Sequence, residues 1–145
     1  MPSLLARAFQ GDAIKAEENF RNHYWRMKGN VAEPIVFAKI DAFLETQKGI
    51  YKFYAGEKST GQVTVHYGTK FMPIFSAVVW FDEDGQPPAG NFRIASFIQG
   101  GSGVNQKTAQ MQELLDVVTG VFKSIDPNTV VEQLANPSDI AWTKR

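Results

Sequence analysis

Apolar residues near the start of the chain fall three or four apart, at Ala13, Ala16, Phe20, Tyr24 and Met27, and this spacing predicts one helical stripe. Ser3 is placed to cap a short first turn carrying Leu4, Leu5, Ala8 and Phe9. Gly11 interrupts that turn, and Asp12 is a second candidate cap. Glu17 and Glu18 lie toward the start of this helix and Arg26 and Lys28 toward its end, which complements the macrodipole. Gly29-Asn30 is a fitting stop, so the helix is expected over about 4–28. The period then shortens to two. Val36, Ala38, Ile40, Ala42 and Leu44 share one face of an extended segment, and Lys39 and Asp41 lie on the other, which predicts a strand. Pro34 supports a competing reading of the same residues as a helix, since proline is favoured at the first helical position.

Four further strands follow, at about 50–54, 63–67, 74–81 and 92–98. Lys48-Gly49, the stretch from Gly56 to Gly61, Gly68, and Asp82-Glu83-Asp84-Gly85 supply the turns between them. The segment from Ile74 to Phe81 is apolar on both faces and is expected at the centre of the sheet. A stripe of Met111, Leu114, Leu115, Val118, Val121 and Phe122 predicts a helix over about 106–123. Asp126-Pro127 combines a cap with a first-position proline and predicts another over about 127–135. Ile140-Ala141-Trp142 is expected to dock as an edge segment. The chain therefore reads as a single α+β domain spanning 1–145. Its expected core is one antiparallel sheet of about five strands, roughly 34–98, with helices on one face.

Composition narrows the function more than it identifies it. The 145 residues match the usual size of one domain. Fifteen basic and fifteen acidic residues cancel, so no long-range field draws a polyanion, and self-association is not opposed by net charge. No cysteine is present, which removes thiolate nucleophiles, disulfides and cysteine-ligated metals. No basic stretch followed by an apolar run marks a secretory signal, and no segment reaches the length of a membrane span, so the expectation is a cytoplasmic protein without a membrane partner.

Several residue groups carry candidate chemistry. Gly101, Ser102 and Gly103 precede Lys107 in a loop between strand and helix, an arrangement whose amides and ammonium suit an anion. It falls short of a P-loop, because Gln106 stands where the motif requires glycine. His66 alternates with Val65 and Tyr67. If its face lines a pocket between sheet and helix, Tyr24, Asp41, Tyr54 and His66 would line it, with His66 as a base. Trp25 and Arg26, and Tyr51, Lys52 and Phe53, interleave aromatics with cations as single-stranded nucleic-acid binders do. No serine elbow, paired-histidine metal motif or cofactor fingerprint occurs, so no cofactor, metal site or catalytic residue is assigned. The reading that follows is a non-catalytic binding or assembly module acting through a protein–protein surface, with a homodimer as one form. A ligand-binding or acid–base domain and a nucleic-acid binder are the alternatives.

Overall fold

The computed structural model describes residues 4–83, 88–98 and 104–136, with side chains from Asp12 and, in the last helix, from Gln106. In chain order the elements are α1 (Leu4–Asn22), β1 (His23–Lys28), α2 (Glu33–Glu45), β2 (Lys52–Ser59), β3 (Gln62–Thr69), β4 (Met72–Phe81), β5 (Gly90–Phe97), α3 (Val104–Ile125) and β6 (Val130–Ala135). The strands form one antiparallel sheet in the order β2-β3-β4-β5-β1-β6. The α+β class and the single antiparallel sheet are as expected, with six strands rather than about five. The Ser3 cap, the turn at Asp84-Gly85 and the edge segment at Ile140-Ala141-Trp142 lie outside the described residues.

Three segments take a different form from their sequence reading, each for a local reason. Helix α1 passes through Gly11 but ends at Asn22, and the residues expected as its last turns form β1. Trp25 and Met27 are buried while Tyr24, Arg26 and Lys28 face the other way. The period of two therefore prevails over the stripe shared by Phe20, Tyr24 and Met27. At 33–45 the helix starting at Pro34 prevails over the strand. Val36 and Ile40 are buried with Phe37, Phe43 and Leu44 beside them, whereas Ala38 and Ala42 are exposed. Those alanines are good helix formers on the solvent side and were not core positions. Near the end, Asp126 caps a turn instead of a helix. Its carboxylate accepts the Asn128 and Asn30 amides at 2.9 and 2.8 Å, and β6 follows where a helix over 127–135 was expected. These two amide donors hold the Asp126 carboxyl below its ordinary pKa.

The core lies between one sheet face and the helices. Phe53, Val63, Val65, Tyr67, Phe75, Ala77, Val79, Phe81, Phe92 and Ile94 meet Phe20, Val36, Ile40, Met111, Leu114, Val118 and Phe122 in one cluster. Close approach is built in at Gly90, where any side chain would run into the Phe122 ring. Helices α1 and α3 are also joined by a buried ion pair. Lys107 Nζ lies 2.6 Å from Glu17 Oε2, bonds the Ile98 carbonyl, and sits 5.2 Å from the Phe97 ring centroid. Lys107 retains 4% of its exposure and the Glu17 side chain 11%, so removing either one takes the opposite charge away from an ion buried in the interior.

That burial sets an expected outcome. Glu17→Gln or Lys107→Met alone should destabilise the fold by about 3–5 kcal/mol in urea unfolding, and replacing both by apolar residues should recover most of the loss. A Glu17→Gln variant as stable as wild type would show that the pair does not tie α1 to α3.

Candidate functional site

Every second strand residue points away from the helices, and these side chains build a second sheet face. The strand registers fix who meets whom. Tyr54 lies opposite His66, His66 opposite Ser76, and Ser76 opposite Ser96. One step along, Thr64 lies opposite Val78 and Val78 opposite Arg93. No described helix contributes to this face, since the buried residues of α1, α2 and α3 belong to the core cluster on the other side.

Two centres stand out. In the first, His66 Nδ1 is 2.6 Å from the Ser76 hydroxyl, and the Tyr54 ring lies 5.3 Å from the His66 ring. The Tyr54 hydroxyl donates to the Thr69 carbonyl at 2.7 Å, and burial raises the phenol above its ordinary pKa of 10.0, so it remains a neutral donor near pH 7. A depression of about 140 Å³ opens beside this group, lined by Glu57, Thr64, His66, Ser76, Val78 and Ser96. Gly56 makes room for the imidazole: a Cβ there would lie 2.5 Å from His66 Nε2. Chemically this is a small hydroxyl-rich hollow with one imidazole and one carboxylate. It is smaller than the roughly 300 Å³ at which sites for drug-sized ligands begin.

The second centre is aromatic and cationic. Trp80 lies 6.0 Å from Tyr24 and 5.9 Å from the Arg93 guanidinium. Arg93 is partly buried, and no carboxylate among the described residues lies within ion-pair distance of it. Desolvation accordingly pushes its pKa down. Farther along the same end of β4, an open trough of about 960 Å³ is lined by Arg26, Glu33, Trp80, Asp82 and Glu83, but its Arg26 and Asp82 already pair at 2.5 Å.

The sequence candidates are distributed as follows. Tyr54 and His66 come together, on the sheet face away from the helices and not between sheet and helix. Tyr24 shares that face, next to Trp80. Asp41 lies on α2 and pairs with Lys58 at 2.5 Å. Trp25 and Phe53 are core residues, so their rings are unavailable for base stacking, and Arg26 is held by Asp82. Tyr51 and Lys52 lie at the start of β2, with Tyr51 exposed. The Lys107 ammonium is directed inward to Glu17. Gly101, Ser102 and Gly103 lie outside the described residues. Ser76, Trp80 and Arg93 were not singled out from sequence. Hairpin pairing is the signal that finds Ser76, which lies ten positions from His66 across the β3–β4 turn.

Among the described residues no cluster of three or more histidine or carboxylate side chains could hold a metal, and no described helix is long and apolar enough to cross a membrane. No protein-family model matches the chain, and neither a curated protein nor a solved structure does.

The close fit at Gly56 gives a direct test of the first centre. Gly56→Ala should force the His66 ring aside, shift its imidazole NMR signals, and cost about 1–3 kcal/mol. Unchanged His66 signals would mean that the ring is not confined there.

Proposed function

We propose that this protein is a non-catalytic assembly module that works through protein–protein contact on the uncovered sheet face, with two copies of the chain as the simplest assembly. The observation that carries the reading is the Tyr24–Trp80–Arg93 group, which spans the inner strands β4, β5 and β1 toward one end of that face. Trp, Tyr and Arg dominate the energetics of protein interfaces. Strands of six to ten residues in six rows give the face a footprint of about 700 Å². That is close to the ~800 Å² per partner of a stable interface.

Charge supports a second copy as the partner. An isologous interface must be self-complementary. Among the described residues Arg93 has no carboxylate within ion-pair distance and Glu57 no cation; Arg93 lies opposite Val78, and Val78 and Glu57 both line the small depression. A net charge of zero adds no long-range repulsion between copies. Sedimentation equilibrium of the purified protein tests the reading. The wild type should dimerise, and Trp80→Glu or Arg93→Glu should weaken the dimer by at least about tenfold while leaving the melting temperature of the monomer unchanged. A wild type that stays monomeric at every concentration, or a dimer indifferent to Trp80→Glu, would overturn it.

A second reading, a site for a small polar ligand, is favoured by the His66–Ser76 hydrogen bond at the mouth of the depression. It predicts that small amines or amides perturb the NMR signals of Thr64, His66 and Ser96 together, and that His66→Phe removes the response. Perturbations scattered over the surface would count against it.

A further inference from the structure

The end of the sheet where β2 begins and β3 turns into β4 exposes more apolar side chain than any other part of the described structure. Phe71 retains 85% of its exposure, Ile50 77%, and Tyr51 and Met72 59% each. Single exposed apolar residues are ordinary, but four large ones gathered at one tip are not. The register gathers them. Lys52 pairs with Gly68 and Thr69 with Met72, so the segment leading into β2 and the β3–β4 turn project beyond the same sheet edge. Both segments also carry lysines on the solvent side: Lys48 and Lys52 flank Ile50-Tyr51, and Lys70 precedes Phe71 with its ammonium 4.9 Å from that ring.

We infer that this tip is a membrane-docking surface: Ile50, Tyr51, Phe71 and Met72 enter the headgroup–acyl boundary of an anionic bilayer while Lys48, Lys52 and Lys70 meet its lipid phosphates and carboxylates. The chemistry of each part matches one layer of the interface. Phe and Ile side chains gain from leaving water, and Tyr suits the boundary because its ring is apolar and its hydroxyl is wet. Three ammonium groups around the apolar tip supply a local attraction to an anionic surface that the zero net charge of the chain does not. The favoured occupant is an anionic lipid surface over a protein, because Lys48, Lys52 and Lys70 border the apolar tip and complement its charge. A shallow insertion needs only a few side chains. This surface is separate from the uncovered sheet face, and it requires no spanning helix.

Sedimentation with lipid vesicles, read with the full chain, tests the inference. The protein should pellet with vesicles of phosphatidylcholine mixed with phosphatidylserine, bind phosphatidylcholine alone far more weakly, and release as salt rises. Phe71→Ser should weaken partition by about tenfold. Each Lys→Gln replacement at 48, 52 or 70 should cost about fivefold. Lys48, Lys70 and Phe71 are exposed and Lys52 half-buried, and unchanged thermal unfolding serves as the folding control. Failure of the wild type to bind anionic vesicles at low salt would overturn the inference, as would binding indifferent to Phe71→Ser. Self-association lost with Phe71→Ser, without vesicle binding, would also overturn it and assign the tip to protein contact.

Discussion

Strand β1 holds the architecture together. It is six residues long, yet it pairs on one side with β5 and on the other with β6, so it joins three segments far apart in the chain. Its two inward residues, Trp25 and Met27, are buried against Phe20 and Phe92, with ring centroids 5.1 and 6.2 Å from Trp25. The helix before it must therefore lie on the core side of the sheet. Asp126 extends the same tie, because its carboxylate receives the amide of Asn30 just after β1 and turns the chain from α3 into β6. Without β1, the hairpin series β2 to β5 would keep its ladders, but β6 would have no strand to pair with.

One-sided coverage follows from that arrangement. The described buried side chains of α1, α2 and α3 that join the core cluster lie on a single face, and the Glu17–Lys107 pair joins α1 to α3. The other face keeps a different composition. It is polar where Tyr54, His66, Ser76 and Ser96 meet and aromatic where Tyr24 and Trp80 meet. Its polar groups are largely satisfied by one another, as in the His66–Ser76 and Arg26–Asp82 contacts. A surface of that kind tolerates water while keeping a half-buried aromatic group.

What the sequence disclosed and what it hid divide along a physical line. The strands from β2 to β5 were legible because glycines and acidic turns separate them and their pairing is local. Two of the misread segments contain apolar residues that satisfy two periods at once, and the third follows the turn that Asp126 caps. Phe20, Tyr24 and Met27 continue a helical stripe, yet Trp25 and Met27 also alternate. The segment from Val36 to Leu44 alternates, yet Val36, Ile40 and Leu44 are also four apart. Only the tertiary partner decides between them: β5 and β6 stabilise the extended form of 23–28, and α3 and β2 take the helical form of 33–45. No glycine or proline marks the junction at Asn22–His23, so the sequence carries no local stop there.

The site was half legible for the same reason. His66 and Tyr54 drew attention as residue types, but their meeting depends on register, and so does the approach of Ser76. Arg93 and Trp80 are less visible still, because they lie on neighbouring strands and sequence spacing does not join them. Register also explains the exposed tip. A strand face is buried or wet according to what covers it, whereas the end of a hairpin has no neighbour to cover it. Large apolar residues there cost solubility and add nothing to the core, so the stability of this fold gives no reason for Phe71 or Ile50. The lysines beside them suit the anionic surface inferred for this tip.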